Sequence, residues 1–221
     1  MSASQLQRLN IIVTECKLCP RLTAYIKKVG ETKAKKFIDE TYWAKPLPSF
    51  GDPDAKLLIV GLAPAAHGGN RTGRMFTGDS SGSWLARAMY EMGFANMPTS
   101  LFKGDGLLLK DVYITAAVRC APPKNKPLHL EIFNCSQYLA AELEILRNVK
   151  AVLTLGKIAF DAYCRTARVK GLRFRHGACY AVGSDKTLLV SYHPSRQNTN
   201  TGRLTWQMWI DILEAAKLVI S

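Results

Sequence analysis

A glycine-rich segment, residues 61–82, carries several side chains that could do chemistry. It reads GLAPAAHGGNRTGRMFTGDSSG and includes a carboxylate, Asp79, an imidazole, His67, and an aromatic ring, Phe76. Because glycine has no Cβ, backbone amides in such a segment can come close to a ligand. Irregular loops of about 20 residues are uncommon and usually functional. The segment therefore predicts a ligand site, and the alternative is a solvated connection between a strand and a helix.

Two further segments that follow apolar runs also carry candidate catalytic side chains. The segment VRCAPPKNKP, residues 118–127, contains Asn125, and the segment YHPSRQN, residues 192–198, contains His193. The carboxyl ends of parallel strands meet at one edge of a sheet, where ligands bind. We therefore expect Asp79, Asn125 and His193 to face one pocket.

The cysteines offer a second kind of chemistry. Cys16 and Cys19 form a Cys-x-x-Cys pair, which in an intracellular chain indicates metal binding or redox use rather than a disulfide. Cys120 and Cys135 would complete a set of four thiolates if the fold brings them to that pair. Four thiolates can hold zinc or an iron–sulfur cluster, and the spacing alone does not decide between them.

The chain is strongly basic, with 30 lysines and arginines against 17 acids and a formal net charge of +13. Such an excess favours a polyanionic partner, nucleic acid first, over a dispersed and solvated charge. Part of the excess lies in two clusters, within residues 27–36 and 165–176. No apolar run approaches the roughly 18 residues of a membrane span, and the N-terminus lacks a signal-peptide pattern. We therefore expect a soluble, cytoplasmic protein.

Hydrophobic periodicity predicts an α/β fold in which helices alternate with parallel strands. Four apolar runs of strand length are expected to form a sheet that is covered on both faces. The predicted strands are residues 57–60, 112–117, 151–155 and 187–191, with a short edge strand at 179–182. The predicted helices are residues 5–30, which the cysteine pair interrupts, 83–93, 129–147, 157–164 and 203–219, and residues 31–50 are expected to be irregular.

Taken together, the three segments GLAPAAHGGNRTGRMFTGDSSG, VRCAPPKNKP and YHPSRQN resemble the uracil-DNA glycosylase superfamily. The resemblance is to its type b branch, also called family five, whose members are iron–sulfur glycosylases. It implies a single domain over residues 1–221, built as a three-layer α/β/α sandwich around a central four-stranded parallel sheet. It also implies hydrolysis of the bond between deoxyribose and uracil, or another deaminated base such as hypoxanthine, leaving an abasic site. The alternative is a non-catalytic iron–sulfur protein that binds nucleic acid.

The resemblance further implies a [4Fe–4S] cluster. By position its ligands would be Cys16, Cys19, Cys120 and Cys135, and the cluster would tie residues 1–50 to the rest of the domain. Zinc is the alternative occupant. The two remaining cysteines match no ligand position of the family, so we expect them to be small buried apolar residues.

The resemblance also suggests roles in the reaction. It places Phe76 where a ring stacks on the base, and His193 where a donor meets the pyrimidine oxygen that gains charge. Asp79 is the candidate to orient or deprotonate the attacking water or to stabilise the cationic sugar, and its alternative role is to cap the next helix. Asn125 is the candidate for a contact with the base edge, and its alternative role is to cap a turn.

The remaining candidate substrate-binding residues are Gly61, Ala63, His67, Ser195 and Arg196. The wider superfamily often has a carboxylate or asparagine just after the leading glycine of its first motif, where this chain has Leu62 and Ala63. The difference predicts a roomier and less selective pocket. Arg196 would fill the space left by the flipped base or hold a phosphate. We expect a monomer that acts on damaged bases in double-stranded and single-stranded DNA, in a cell of the prokaryotic type.

Overall fold

The computed structural model describes residues 2–221, which form eight α-helices, two short 3₁₀ turns and six strands. The helices are α1 (Ser2–Thr14), α2 (Pro20–Thr32), α3 (Gly69–Thr72), α4 (Ser80–Glu91), α5 (His129–Ile145), α6 (Lys157–Thr166), α7 (Arg196–Asn200) and α8 (Trp206–Ile220). The strands are β1 (Phe50–Gly51), β2 (Leu57–Gly61), β3 (Val112–Ala116), β4 (Ala151–Leu155), β5 (Cys179–Val182) and β6 (Lys186–Ser191). All helices and strands predicted from the sequence are confirmed, and α3, α7 and β1 are additional.

The strands form one sheet in the order β1-β3-β2-β4-β6-β5. The four central strands are parallel, which confirms the predicted core of the sheet. Each edge is a short antiparallel strand, because β1 pairs with β3 and β5 pairs with β6. β1 lies in the segment predicted to be irregular. It follows Pro46 and Pro48 and has only two residues, too few to show an alternating pattern.

Successive residues of the central strands face two helical layers, as the pleat of a strand requires. In β2, Ile59 belongs to a buried cluster with Trp209 of α8, and the next residue, Val60, belongs to a second cluster with Phe160 of α6. The predicted three-layer α/β/α arrangement is therefore confirmed. Within residues 2–221, no helix combines the length and the apolar character needed to cross a membrane.

The N-terminal helical stretch is divided by a break at residues 15–19, which holds both cysteines of the Cys-x-x-Cys pair. α2 restarts at Pro20, because proline suits the first turn of a helix, where its missing N–H has no intrahelical partner. α1 is fastened beside the sheet by Asn10. Its side-chain amide donates to the carbonyl of Ser49 at 3.1 Å and accepts from the amide of the same residue at 3.0 Å.

Candidate active site

A cavity of about 330 Å³ lies at the carboxyl edge of the parallel strands. It is bounded by Leu62 directly after β2, Ala116 at the end of β3 and His193 after β6. Asp79 and Asn125 line the same cavity, so the structure brings the three candidate catalytic residues together. The full lining is Leu62, Ala63, Pro64, Ala65, Met75, Phe76, Asp79, Ser81, Ala116, Asn125, His193, Ser195 and Gln197.

Asp79 both caps α4 and lines the cavity. Its Oδ1 accepts a hydrogen bond of 2.8 Å from the amide of Gly82, so the helix begins at Ser80 rather than at the predicted residue 83. Its second oxygen lies over Gly68, where a Cβ would clash with Oδ2. One carboxylate oxygen is therefore committed to the helix, and the other lies against the backbone of Gly68.

Burial and the neighbouring donors and charges shift the pKa of Asp79 in opposite directions. Burial raises the pKa of the carboxyl group and is the largest effect. The amides of Gly82 and Ser81 lower the pKa, as do the positive charges of Arg196 and Arg71. The net result is a raised pKa, which moves the group towards the range in which a carboxylate accepts a proton.

Arg71 fastens the two ends of the loop that surrounds this carboxylate. Its Nε donates to the carbonyl of His67 at 2.9 Å, and its Nη2 donates to the carbonyl of Gly78 at 3.2 Å. The guanidinium also pairs with Glu40 and lies 3.9 Å from the ring centroid of Phe37. The segment between α2 and β1 therefore supports the loop from outside, a role that no sequence motif identifies.

The ring of Phe76 lies between Gly61 and His193. A Cβ at Gly61 would be 2.8 Å from the ring carbons, so only glycine lets the ring lie this close to the strand end. On the other side the ring stacks with the imidazole of His193, with 5.9 Å between centroids and 27° between planes. Phe76 has a φ of +48°, a strained value for a residue with a side chain. Gly61 thus supports the ring and does not line the cavity itself.

His193 is held as a neutral imidazole. Burial lowers its pKa to about 4, so the ring is uncharged at neutral pH. Its backbone carbonyl accepts hydrogen bonds from the side chain of Asn198 at 2.8 Å and from the amide of Ser195 at 2.8 Å. The turn after β6 therefore fixes the ring where one nitrogen can donate and the other can accept.

The other walls of the cavity are mostly apolar. Leu62, Ala63 and Ala116 have apolar side chains, and the first two stand where the first motif lacks a carboxylate or asparagine. Asn125 is an exposed residue of the lining, with a φ of +55° that asparagine tolerates better than most residues. Polar contacts with a bound base would therefore come from few side chains.

The last three candidate substrate-binding residues have different positions. Ser195 lines the cavity, and its hydroxyl caps α7 by accepting from the amide of Asn198 at 3.4 Å. Arg196 is exposed in the first turn of α7. His67 does not line the cavity. It is exposed, and its Nδ1 lies 3.0 Å from the hydroxyl of Tyr42, because the loop turns here towards the segment before β1.

Four cysteines gather between the N-terminal helices, the loop after β3 and α5. Cys19, Cys120 and Cys135 belong to one buried cluster, and Cys16 packs against it. All four are free thiols. Burial raises the pKa of Cys135 to about 11, and the neighbouring thiols add to this effect. Burial likewise raises the pKa values of Cys19 and Cys120.

Within residues 2–221, no group of three or more histidine, cysteine or acidic side chains has an arrangement that could hold a metal ion. Asn134 donates a hydrogen bond of 3.5 Å to the sulfur of Cys19. The expectation that the two remaining cysteines are buried is wrong for Cys179. It is exposed on β5, an edge strand that leaves side chains in solvent, and Cys164 is only partly buried.

Comparison with known proteins agrees with this geometry. The pattern of the uracil DNA glycosylase superfamily matches residues 48–217. The chain belongs to this superfamily. It is 50% identical over 207 residues to a type-5 uracil-DNA glycosylase of Thermus thermophilus, covering 93% of this chain and 94% of the relative. A type-5 enzyme of Mycobacterium tuberculosis is 44% identical over 219 residues, covering 97% and 82%.

A third relative is equally informative because it is archaeal. The type-5 uracil-DNA glycosylase of Pyrobaculum aerophilum is 43% identical over 204 residues, covering 92% of this chain and 88% of the relative. The resemblance to family five that the three sequence motifs suggest is therefore confirmed. The relatives also align with most of the N-terminal segment, which lies outside the residues matched by the superfamily pattern.

Proposed function

We propose that this protein is a uracil-DNA glycosylase, which hydrolyses the N-glycosidic bond of uracil in DNA and leaves an abasic site. The observation that carries the proposal is the single cavity shared by Asp79, Phe76 and His193 in a chain of this superfamily. A base must leave the helical stack before an enzyme can act on it, and its pocket then needs a stacking surface and hydrogen-bonding groups. These three residues supply a ring, a carboxylate and a neutral donor.

His193 is suited to assist departure of the base. Its low pKa leaves the imidazole neutral, so a ring N–H can donate to the pyrimidine oxygen that gains negative charge as the bond breaks. A donor aimed at developing charge in a site that excludes water contributes on the order of 3 kcal/mol to the transition state. Phe76, stacked against the imidazole, offers its ring to the face of the flipped base.

Asp79 is suited to act on the sugar side. Gly82 donates to Oδ1, and we assign to Oδ2 the role of orienting the attacking water or stabilising the cationic sugar. Burial and the raised pKa favour acceptance of a proton from that water. The capping role and the catalytic role are therefore compatible, since they use different oxygens.

The test is strand scission by alkali at a single uracil in a DNA duplex. The proposal expects scission after incubation with the enzyme and none in a matched duplex with thymine. The alternative is a nucleic-acid-binding protein without catalysis, and it expects tight binding to both duplexes with no base released. Measuring binding on the same samples separates the two outcomes.

The apolar walls of the cavity favour a broad choice of bases. Leu62, Ala63 and Ala116 offer no hydrogen bond that would select uracil over a larger deaminated base. A wall of apolar side chains discriminates weakly, because the wrong substrate leaves no polar side chain of that wall unpaired. We propose hypoxanthine as a second substrate. A panel of damaged bases, each placed opposite all four partners, tests this, and activity on uracil alone would contradict it.

The protein is proposed to act as a monomer in the cytoplasm, on double-stranded and single-stranded DNA. The three candidate catalytic residues lie together in one cavity of a single chain. The net charge of +13 supports contacts with the DNA backbone. Such contacts release counterions, so binding should weaken steeply as salt is raised.

We propose that Cys16, Cys19, Cys120 and Cys135 hold a [4Fe–4S] cluster. Four free thiols from three separate parts of the chain meet in one buried cluster, a donor set that suits iron–sulfur ligation. The same four thiolates could instead hold a single zinc ion, and the resemblance to family five favours the iron–sulfur cluster. When bound, the group would supply a cross-link between the N-terminal helices and the sheet domain.

Iron and sulfide content, with visible absorption of anaerobically purified protein, tests the cluster. Cys120→Ser is expected to lose the iron and the colour. Cys164→Ser, which removes a cysteine outside the set, is the matched control and is expected to keep both. Colourless protein loaded with zinc would contradict the proposal.

A further inference from the structure

A second cavity, of about 480 Å³, adjoins the base cavity and has no part in the reaction described above. The two cavities share Leu62, His193 and Gln197 in their linings, so they adjoin at these residues. The second cavity lies between the start of α6, the basic segment before β5 and the turn after β6. It is large enough for a planar group of the size that the first cavity accepts.

Tyr192, Phe174 and Arg203 form one wall of this second cavity, and His176 packs against Tyr192 without lining the cavity. The ring of Tyr192 is nearly parallel to that of His176, with 9° between planes and 5.0 Å between centroids. The guanidinium carbon of Arg203 lies 4.5 Å from the centroid of Tyr192, and the ring of Phe174 lies 6.0 Å away. The amide of Tyr192 also donates to Nδ1 of His176 at 3.2 Å. The wall is therefore already built in the free protein.

Arg203 is the unpaired cation of this wall. It has no carboxylate partner within residues 2–221, whereas Lys157, the other cation of the lining, pairs with Asp161 at 2.6 Å. A guanidinium that packs one face on an aromatic ring leaves its other face free for another planar, electron-rich group. Nucleic-acid bases stack on guanidinium planes in this manner.

We propose that the second cavity binds the nucleotide next to the flipped one on the damaged strand, with its base stacked on Arg203. A strand that places one base in the first cavity must pass the shared wall at His193 and Gln197, so its neighbour is the nearest planar group. Stacking of this kind is tolerant of sequence, because every base has a π face. The site would hold the strand without selecting a base sequence. The inference rests on the proposed function.

The test couples a protein variant to a change in the DNA. Single-turnover uracil release is measured on oligonucleotides that lack the base on the 3′ side, on the 5′ side, or on neither side of the uracil. For the unmodified enzyme, loss of one of these bases is expected to lower the rate at subsaturating enzyme about tenfold, which corresponds to ~1.4 kcal/mol. On intact DNA, Arg203→Ala is expected to lower the rate of uracil release by a similar factor. On the oligonucleotide that lacks the stacked base, this variant is expected to show no further loss.

Two variants control this experiment. Arg203→Lys keeps the charge but loses the plane, and it is expected to be as insensitive to the neighbouring base as Arg203→Ala. Arg87→Ala removes a guanidinium that lies 4.4 Å over Trp206 and lines neither cavity. This variant is expected to respond to the missing base as the unmodified enzyme does.

If Arg203→Ala is slowed by the same factor, relative to the unmodified enzyme, on all oligonucleotides, Arg203 contacts the DNA backbone and not a base. This result would overturn the inference. An unmodified enzyme that is insensitive to the loss of either neighbouring base would overturn it as well. Failure of the unmodified enzyme to release uracil from any DNA would instead refute the proposed function, so the two failures are distinguishable.

Discussion

The carboxylate of Asp79 rests directly on the backbone of Gly68, with Oδ2 in the space that a Cβ would occupy. The close approach of the carboxylate by itself excludes a side chain at this position. The glycine-rich loop therefore folds back on itself to enclose its own acid. Any side chain at this position would push the carboxylate towards solvent or out of its capping bond.

Asp79→Asn should separate helix capping from catalysis. Asparagine caps helices about as well as aspartate and can still accept from Gly82, so the unfolding midpoint should change little. The neutral amide cannot take a proton from water, so single-turnover uracil release should fall roughly 100-fold or more. Asp79→Ala should lose the same activity and about 1 kcal/mol of stability. An asparagine variant with the original rate would confine Asp79 to capping.

Arg71→Lys should slow catalysis without weakening DNA binding. Lysine keeps the charge, but a single ammonium cannot reproduce the planar fork that reaches the carbonyls of His67 and Gly78. Displacement of Asp79 by a fraction of an ångström should cost roughly 10- to 100-fold in single-turnover rate. Glu40→Gln is the matched control, because it removes the ion pair and leaves both carbonyl bonds. A similar loss in the two variants would assign the effect to the pairing with Glu40 and not to the two carbonyl bonds.

His193 should make the folded protein less stable at acidic pH. Its pKa is about 4 in the folded protein, against about 6.5 in an unfolded chain. Between these values the unfolded state binds more protons, so the free energy of unfolding should decrease as pH falls from about 6.5 towards 4. His193→Gln should remove part of that decrease, as measured by urea unfolding at neutral and acidic pH. Equal decreases in both proteins would argue against a buried neutral imidazole.

A buried ion pair between Arg119 and Glu142 should dominate the stability of the region around β3. Arg119 Nη2 lies 2.6 Å from Glu142 Oε2, and the hydroxyl of Thr115 donates to the same oxygen at 2.6 Å. Glu142→Gln leaves the guanidinium buried without its charge partner, which should cost about 3–5 kcal/mol in chemical denaturation.

Replacing both partners supplies the control for that prediction. Arg119→Met combined with Glu142→Leu buries no charge and should cost much less than the sum of the single changes. If the double variant is as unstable as that sum, hydrogen bonds to the surrounding polar groups, and not the uncompensated charge, hold the region together.

The central sheet can be predicted from sequence because each parallel strand is buried on both faces and reads as an unbroken apolar run. Asp79 and His193 can be predicted as neighbours for the same reason, since both follow such runs. β1 cannot be predicted, because a two-residue strand carries no period. The starts of α4 and α8 are set by the caps Asp79 and Thr205, which a periodicity argument places only approximately.

The direction in which each side chain of the loop points cannot be predicted from the sequence of the loop alone. His67 is turned to Tyr42 and Arg71 to Glu40, partners that are 25 and 31 residues away in sequence. Both partners lie in a segment whose prolines and aromatic rings give no regular pattern. Sequence reasoning therefore finds the loop and its acid but not the arginine that holds it.

The short antiparallel strands at the two margins of the sheet also limit association between copies of the protein. β1 has two residues and β5 has four, so the backbone left open to an incoming chain is brief at both ends. Long, flat margins are the places where sheets of different molecules join and precipitate. We therefore expect concentrated solutions of the protein to resist aggregation through strand pairing at either margin.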